Sequence, residues 1–371
     1  MRARRPLIRV RLADGNPCWL ASGYRTVRAV LSDRRFSSRY ELLRLPQLAS
    51  SATPLSPATM GDLTGIDPPD HTRYRRLLAG KFTVRRMRTL TARAEEITTE
   101  HLDIMERRGG PVDLVTAFAQ PVPILMICEL LGVPHSARDA FRRHAALLAA
   151  EGADLDDQRA ALDALNSLIA DLLAAKRTHP TDDLLSDLLT GTDLSGEELA
   201  GIGGFLLAAG LHTTSAMLGL GTFALLSHPA QAAALRADPG LSDSAVDELL
   251  RYLSIAHTAA RSALEDVEVD GQVIRAGETV LLSVEAANRD PLRFDRPDTL
   301  DIRRKPVGHL AFGHGIHQCL GQQLARVELG VAYSGLLSRF PTLRLAVPPK
   351  DVPLRVSLDL YGVRELPVTW Q

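Results

Sequence analysis

Cysteine is scarce in this chain. Cys18, Cys128 and Cys319 are its three cysteines, scattered through 371 residues, too few and too far apart for a disulfide framework or a zinc site. That fits a reducing cytoplasm, with Cys18 and Cys128 read as plain core residues. Charge of one sign is lacking too. Lys and Arg number 43 against 44 Asp and Glu, a formal net charge of -1, which excludes a nucleic-acid binder resting on a basic excess. Met1 to Val10 carries arginines but no apolar region of signal-peptide length, so neither export nor a membrane anchor is expected there. Repeat periods and low-complexity tracts are missing as well. What the chain does have is 45% apolar residues, enough for a substantial core in two ordinary domains or one large enzyme domain.

One stretch lacks charge altogether. From Gly203 to Leu226 no Asp, Glu, Lys or Arg occurs, which by hydropathy alone nominates a membrane span. His212, Thr213, Thr214 and Ser215, mid-stretch beside Gly210, favour instead a long helix through the middle of a large soluble domain. Ser195 and Glu198 form a capping box for its start, and His228-Pro229 ends it. Small residues followed by threonines mid-helix serve close helix packing, or a groove where a ligand abuts the backbone.

Elsewhere the pattern is mostly helical. Val84 to Glu106, Pro123 to Leu131, Ala137 to Ala149 and Asp156 to Arg177 read as helices. They are separated by breakers at Gly109-Gly110-Pro111, Gly132-Val133-Pro134, Glu151-Gly152 and His179-Pro180. Hairpins are expected around Asp14-Gly15 and Asp270-Gly271. The irregular segment from Ser38 to Thr64 is either functional or a surface loop. A helix starts at Asp67-Pro68-Pro69-Asp70 and places His71 and Arg75 on one face, suited to a dianionic ligand or merely solvated. Arg73 and Arg76 point elsewhere, to a basic docking face or an ordinary solvated surface. Glu248 and Arg251 are three apart on a helix, by themselves an ordinary ion pair.

The sharpest signal is the run from Val307 to Arg326. It sets Cys319 after a glycine-punctuated loop and directly ahead of an apolar-periodic helix. Free N–H groups there favour the metal-binding thiolate, while Gly313, Gly315 and Gly321 let backbone pass close to a flat ligand. From Phe312 to Gly321 the chain resembles the haem-binding loop of the cytochrome P-450 superfamily, F-G-x-G-x-H-x-C-x-G, with every fixed position present.

That resemblance implies haem b with Cys319 as its axial iron ligand, Phe312 shielding the thiolate, and His317 reaching a propionate. His71, Arg75 and Arg261 match the other propionate contacts. Glu248 and Arg251 match the buried E-x-x-R lock, with Arg304, or failing it Arg303, as third member. Ala209 to Thr214 is similar to the distal A-G-x-[DE]-T-T helix, so Thr213 falls where iron-bound oxygen is hydrogen-bonded. His212 replaces the usual acid, and as a titrating group it can still relay protons. The implied fold is a single domain over residues 1–371, mainly α with small β-sheets, holding haem between the cysteine loop and the distal helix. By family position the pocket is lined by Leu206, Leu207, Leu211, Ile255, Thr258 and Ala259, with the Ser38 to Thr64 loop and Leu358 to Leu360. Tyr361 to Trp370 resembles the C-terminal strand pair.

The activity so implied is that of a soluble bacterial-type monooxygenase of secondary metabolism. It uses dioxygen and NAD(P)H, through a ferredoxin and its reductase, to oxidise a largely hydrophobic small molecule, free or carrier-bound. Because His212 alters proton delivery, oxidative coupling or ring closure is the alternative within enzymes, and a non-catalytic haem sensor the alternative outside them.

Overall fold

Alternating apolar and polar residues at the start of the chain fold as a hairpin of β1 (Leu7–Arg11) and β2 (Pro17–Ala21). The computed structural model describes residues 6–12, 15, 17–44, 55–149, 154–356 and 360–370. Asp14, Glu151-Gly152 and Leu358 therefore lie outside the described residues, as does part of the Ser38 to Thr64 segment. After α1 (Tyr24–Ser32) and the short β3 (Phe36–Ser37) come α2 (Asp70–Ala79) and α3 (Val84–Arg108). Past β4 (Val112–Asp113) the chain is helical: α4 (Pro121–Leu131), α5 (His135–Ala149), α6 (Leu155–Thr178), α7 (Leu184–Gly191) and the long α8 (Gly196–Ser227). Next, α9 (Pro229–Ala237) and α10 (Ser242–Leu253) lead into β5 (Thr258–Ala263). The hairpin of β6 (Val267–Val269) and β7 (Gln272–Ile274) precedes β8 (Thr279–Ser283) and α11 (Val284–Asn288). Last are α12 (Gln322–Arg339), β9 (Arg344–Leu345), β10 (Leu354–Val356), β11 (Tyr361–Val363) and β12 (Pro367–Thr369).

The four helical runs expected in the middle of the chain lie within α3, α4, α5 and α6, each end within two residues. Gly109 (φ 73°) and Gly132 (φ 68°) end α3 and α4 in positive-φ conformations that favour glycine. At α2 the prolines precede the helix rather than occupying its first turn: Asp70 is its first residue.

The main sheet has the order β1-β2-β8-β5-β3, with β2 parallel to β8 and the other neighbours antiparallel. Together with α1 it encloses a satellite core that includes Trp19, Val27, Phe36, Val280 and Phe294. The larger core gathers around α8. That helix starts at a capping box, Ser195 accepting from the Glu198 N–H and Glu198 from the Ser195 N–H. Its buried residues lie on several sides because it packs against several neighbours, and by length and composition alone it would also pass for a membrane span. A Cβ added at Gly221 would lie 2.0 Å from the Tyr333 hydroxyl of α12, which donates to the Met217 carbonyl. Glycine there is what lets α12 reach the α8 backbone.

The C-terminal segment differs from the expected pairing. Tyr361 to Trp370 forms two strands, but they do not pair with each other: β11 pairs with β10, and β12 pairs with β4 and β9. Between them Arg364 donates its N–H to the Pro353 carbonyl and Leu366 donates to the Asp113 carboxylate. These bonds turn the chain from one small sheet to the next.

Candidate active site

Cys319 lies two residues ahead of Gly321, the N-cap of α12, and not at the cap itself. Its N–H donates to the Phe312 carbonyl at 2.8 Å, closing the loop. Two glycines shape that loop, Gly313 (φ 69°) and Gly315 (φ 75°). At Gly315 a Cβ would sit 2.4 Å from the Leu31 carbonyl oxygen, so the loop packs directly on α1. Burial pushes the Cys319 thiol up, against the lowering pull of the Gly321 N–H, Arg75 and Arg326. In the protein alone burial therefore outweighs the helix terminus, whereas a coordinated metal deprotonates a thiol outright. Arg326 lies 4.7 Å over the Phe312 ring and donates to Asp247 at 2.8 Å, which fixes Phe312 beside the sulfur loop.

His71, Arg75, Arg261 and His317 converge next to this loop, although they come from α2, β5 and the loop itself. The His71 and His317 rings are 4.2 Å apart, and His317 Nε2 lies 3.0 Å from the Ser38 hydroxyl. Burial, with Arg261 and His71 adding to it, lowers the His317 imidazole to about 3. Burial and Arg75 lower His71 as well. Arg75 and Arg261 are both lowered by burial. The carboxylate felt by the histidines and Arg261 is Asp67, but it already accepts from the Ser37 hydroxyl at 2.5 Å and the Ser38 N–H at 3.1 Å. Two half-buried guanidinium groups short of acids among the described residues need an anion.

That need tests the haem implied by the cysteine motif, and the residues fit it. Two guanidinium groups and two imidazoles suit a pair of carboxylates. A Cβ at Gly321 would meet no atom within 4 Å, and its φ is negative, so nothing in the chain itself requires glycine there. A flat group held at the sulfur would.

On α8, Thr213 is exposed in the middle of a core helix, as are Ala208 and Ala209; its hydroxyl donates to the Ala209 carbonyl at 2.8 Å. Leu206 shares the Thr213 face at helical spacing, while Leu207 and Leu211 turn to other sides of the helix; all three are buried. Thr258 is exposed, Ala259 half-buried and Ile255 buried. Ala208 escaped the sequence reading and Ala209 entered it only as part of the distal-helix motif, because an alanine carries no chemical signature. Burial, with the charge of Arg355 adding to it, lowers the His212 imidazole, so it is neutral at neutral pH.

Behind the site, Arg251 bonds Glu248 twice, at 2.8 and 2.9 Å, and both side chains are fully buried. Arg304 reaches the same carboxylate at 3.0 Å, whereas Arg303 is exposed. Arg251 also donates to the carbonyls of Asn288 and Pro297. Asn288 in turn donates to the Ser254 hydroxyl and accepts the Leu310 N–H at 2.6 Å, so the lock is wired into the segment that carries the cysteine. Arg73, considered for a docking face, instead pairs with Glu198 and Asp193 at the start of α8. Arg76 is exposed.

A family model described as Cytochrome P450 matches residues 240–359. The chain is 50% identical over 372 residues to "Cytochrome P450 105C1" of a Streptomyces species, covering 100% of this chain and 93% of that one. It is 44% identical to "Pentalenic acid synthase" of Streptomyces avermitilis, covering 100% and 92%. Among solved structures it is similar to the wild-type ligand-free form of CYP105P1, with TM-score 0.92 and 43% identity over 100% of this chain and 94% of that one.

Proposed function

The chain belongs to the cytochrome P450 family, and from that premise we propose that it oxidises, chiefly by hydroxylation, a largely hydrophobic natural-product-like small molecule in the cytoplasm. Electrons come from NAD(P)H through a reductase and a ferredoxin. It is a haem-binding oxidoreductase of the monooxygenase class, its iron held by the thiolate of Cys319. When bound, the haem supplies electron transfer and dioxygen activation, which thiolate ligation favours.

The chain's own residues hold, orient and protect. Arg75 and Arg261 would pair with the propionates, and the neutral rings of His71 and His317 would hydrogen-bond to them. Phe312 covers the sulfur, and the glycine-lined loop brings N–H donors to it. The Thr213 hydroxyl, which donates to the Ala209 carbonyl, would hold a proton for the dioxygen chemistry the haem supplies. Leu206, Ala209 and Thr258 shape the apolar wall that excludes water from the substrate. The observation that supports this reading most is the convergence of four cationic or imidazole side chains on the cysteine loop, with one nearby carboxylate already engaged.

Purified protein supplied with haem, reduced and treated with carbon monoxide is expected to show the strongly red-shifted Soret band of thiolate ligation; a colourless preparation sinks the reading. His212 in place of the usual acid supports a second one, oxidative coupling or ring closure without oxygen insertion. Turnover under labelled dioxygen separates the two, since hydroxylation incorporates the label and coupling does not.

A further inference from the structure

The β10–β11 hairpin presents an arginine to the distal helix. Arg355 stands opposite Gly362 in the antiparallel register, and directly opposed residues project to the same face. A Cβ at Gly362 would lie 3.5 Å from the Ala216 Cβ and 3.9 Å from the Arg355 Cβ. The face that carries Arg355 is thus the face laid on α8 at Ala216. His212 is one turn before Ala216 and shares its side of the helix, so Arg355 and His212 face each other. The Tyr361 N–H donates to the Ile255 carbonyl at 2.9 Å, which fastens the same hairpin to the segment leading to Thr258.

Among the described residues Arg355 has no acid for company. Its Nε is buried without a hydrogen-bond partner, and no carboxylate pairs with it among the described residues. Arg251, buried outright, is fully engaged, whereas Arg355 is half-buried. A guanidinium nitrogen taken out of water needs an acceptor. The superfamily pattern places Asp or Glu at position 212, where it would supply one from within. His212 withdraws it, and its neutral ring adds a hydrogen-bonding edge and no countercharge.

We propose that Arg355, with His212 beside it, forms a carboxylate-recognition subsite next to Thr213, and that the substrate carries a carboxylate on its apolar body. This rests on the monooxygenase reading above and narrows its substrate class. The planar fork of Arg355 takes the two carboxylate oxygens, and His212 donates from one ring nitrogen. The acid group anchors the molecule, leaving its apolar part toward the Thr213 face.

The test uses ferric holoenzyme and a matched pair of probes, decanoate and decanamide, with formate as a third arm. Affinities are read from spectral titration and calorimetry at pH 7.5. Wild type is expected to bind decanoate at least about tenfold more tightly than the amide. Arg355→Gln removes that preference and leaves the amide affinity in place, whereas Arg355→Lys keeps part of it. His212→Glu, which restores an internal partner for Arg355, abolishes the preference as well, and does so without touching the arginine. Formate is expected to compete with decanoate. If formate binds but decanoate gains nothing over the amide, the subsite takes free anions and the substrate assignment falls. The proposal also falls if wild type shows no preference or Arg355→Gln retains it. Each variant is first checked for the red-shifted reduced carbon monoxide band. Its absence from wild type sinks the monooxygenase reading, while its presence without acid preference sinks only the carboxylate subsite.

Discussion

Cys319 and Glu328 show how burial acts on single groups along the same stretch of chain. At Cys319 burial raises the thiol, and only a bound metal makes thiolate the resting form. Cys319→Ser is expected to lose the red-shifted Soret band while far-ultraviolet circular dichroism stays that of wild type. At Glu328, on α12, burial pushes the carboxyl up to about 8. Between about pH 4.5 and that value the unfolded chain has released a proton that the folded chain retains. Stability is therefore present in full below the unfolded value and falls as pH rises, by up to about 1.4 kcal/mol per pH unit. Glu328→Gln removes that slope, so its melting temperature should gain on wild type from pH 5 to pH 8; parallel curves would refute this. Cys319, His71 and Arg75 were legible in the sequence because each sits in a fixed local spacing. Glu328 and Arg355 were not, since what distinguishes them is burial without a partner among the described residues, and burial depends on segments far away in the chain.

Among elements, α8 is the one whose contacts are most sharply limited by its own composition. Gly201 faces the 55–69 segment so closely that a Cβ would stand 1.8 Å from the Met60 carbonyl oxygen. Because the obstacle is backbone, Gly201→Ala must move that segment and is expected to cost about 1–3 kcal/mol in a thermal or denaturant melt. Its neighbour in space, Gly61 (φ 87°), would meet the Ile202 nitrogen at 2.4 Å, which makes the approach reciprocal. The lock on α10 answers to a different rule. Arg251→Ala removes both of its bonds to the fully buried Glu248 carboxylate and leaves it only Arg304 and the Asp301 N–H, a loss of about 3–5 kcal/mol that should appear as haem-poor protein at unchanged expression. Helices were readable from capping residues and breakers, which are local. The separate pairings of β11 and β12 were not, because the strands that receive them, β4, β9 and β10, are two or three residues long and carry no pattern of their own.

For the molecule as a whole, two cores meet at the site: the α8-centred one supplies Thr213, and the sheet with α1 supports the cysteine loop through Gly315. Neither half holds the cluster alone, so the fold class and the cysteine loop could be read in sequence while the partnership between the cores could not. The tyrosine seated over Gly221 carries a further consequence for biosynthesis. Tyr333 follows its acceptor Met217 by 116 residues, so at roughly 5–20 residues per second the emerging chain waits on the order of ten seconds before α12 closes over the uncharged 24-mer, which α4 and α6, made earlier, cover only in part. Slowing elongation across codons 230–320 should divert nascent protein to the insoluble fraction, and faster decoding there should recover it.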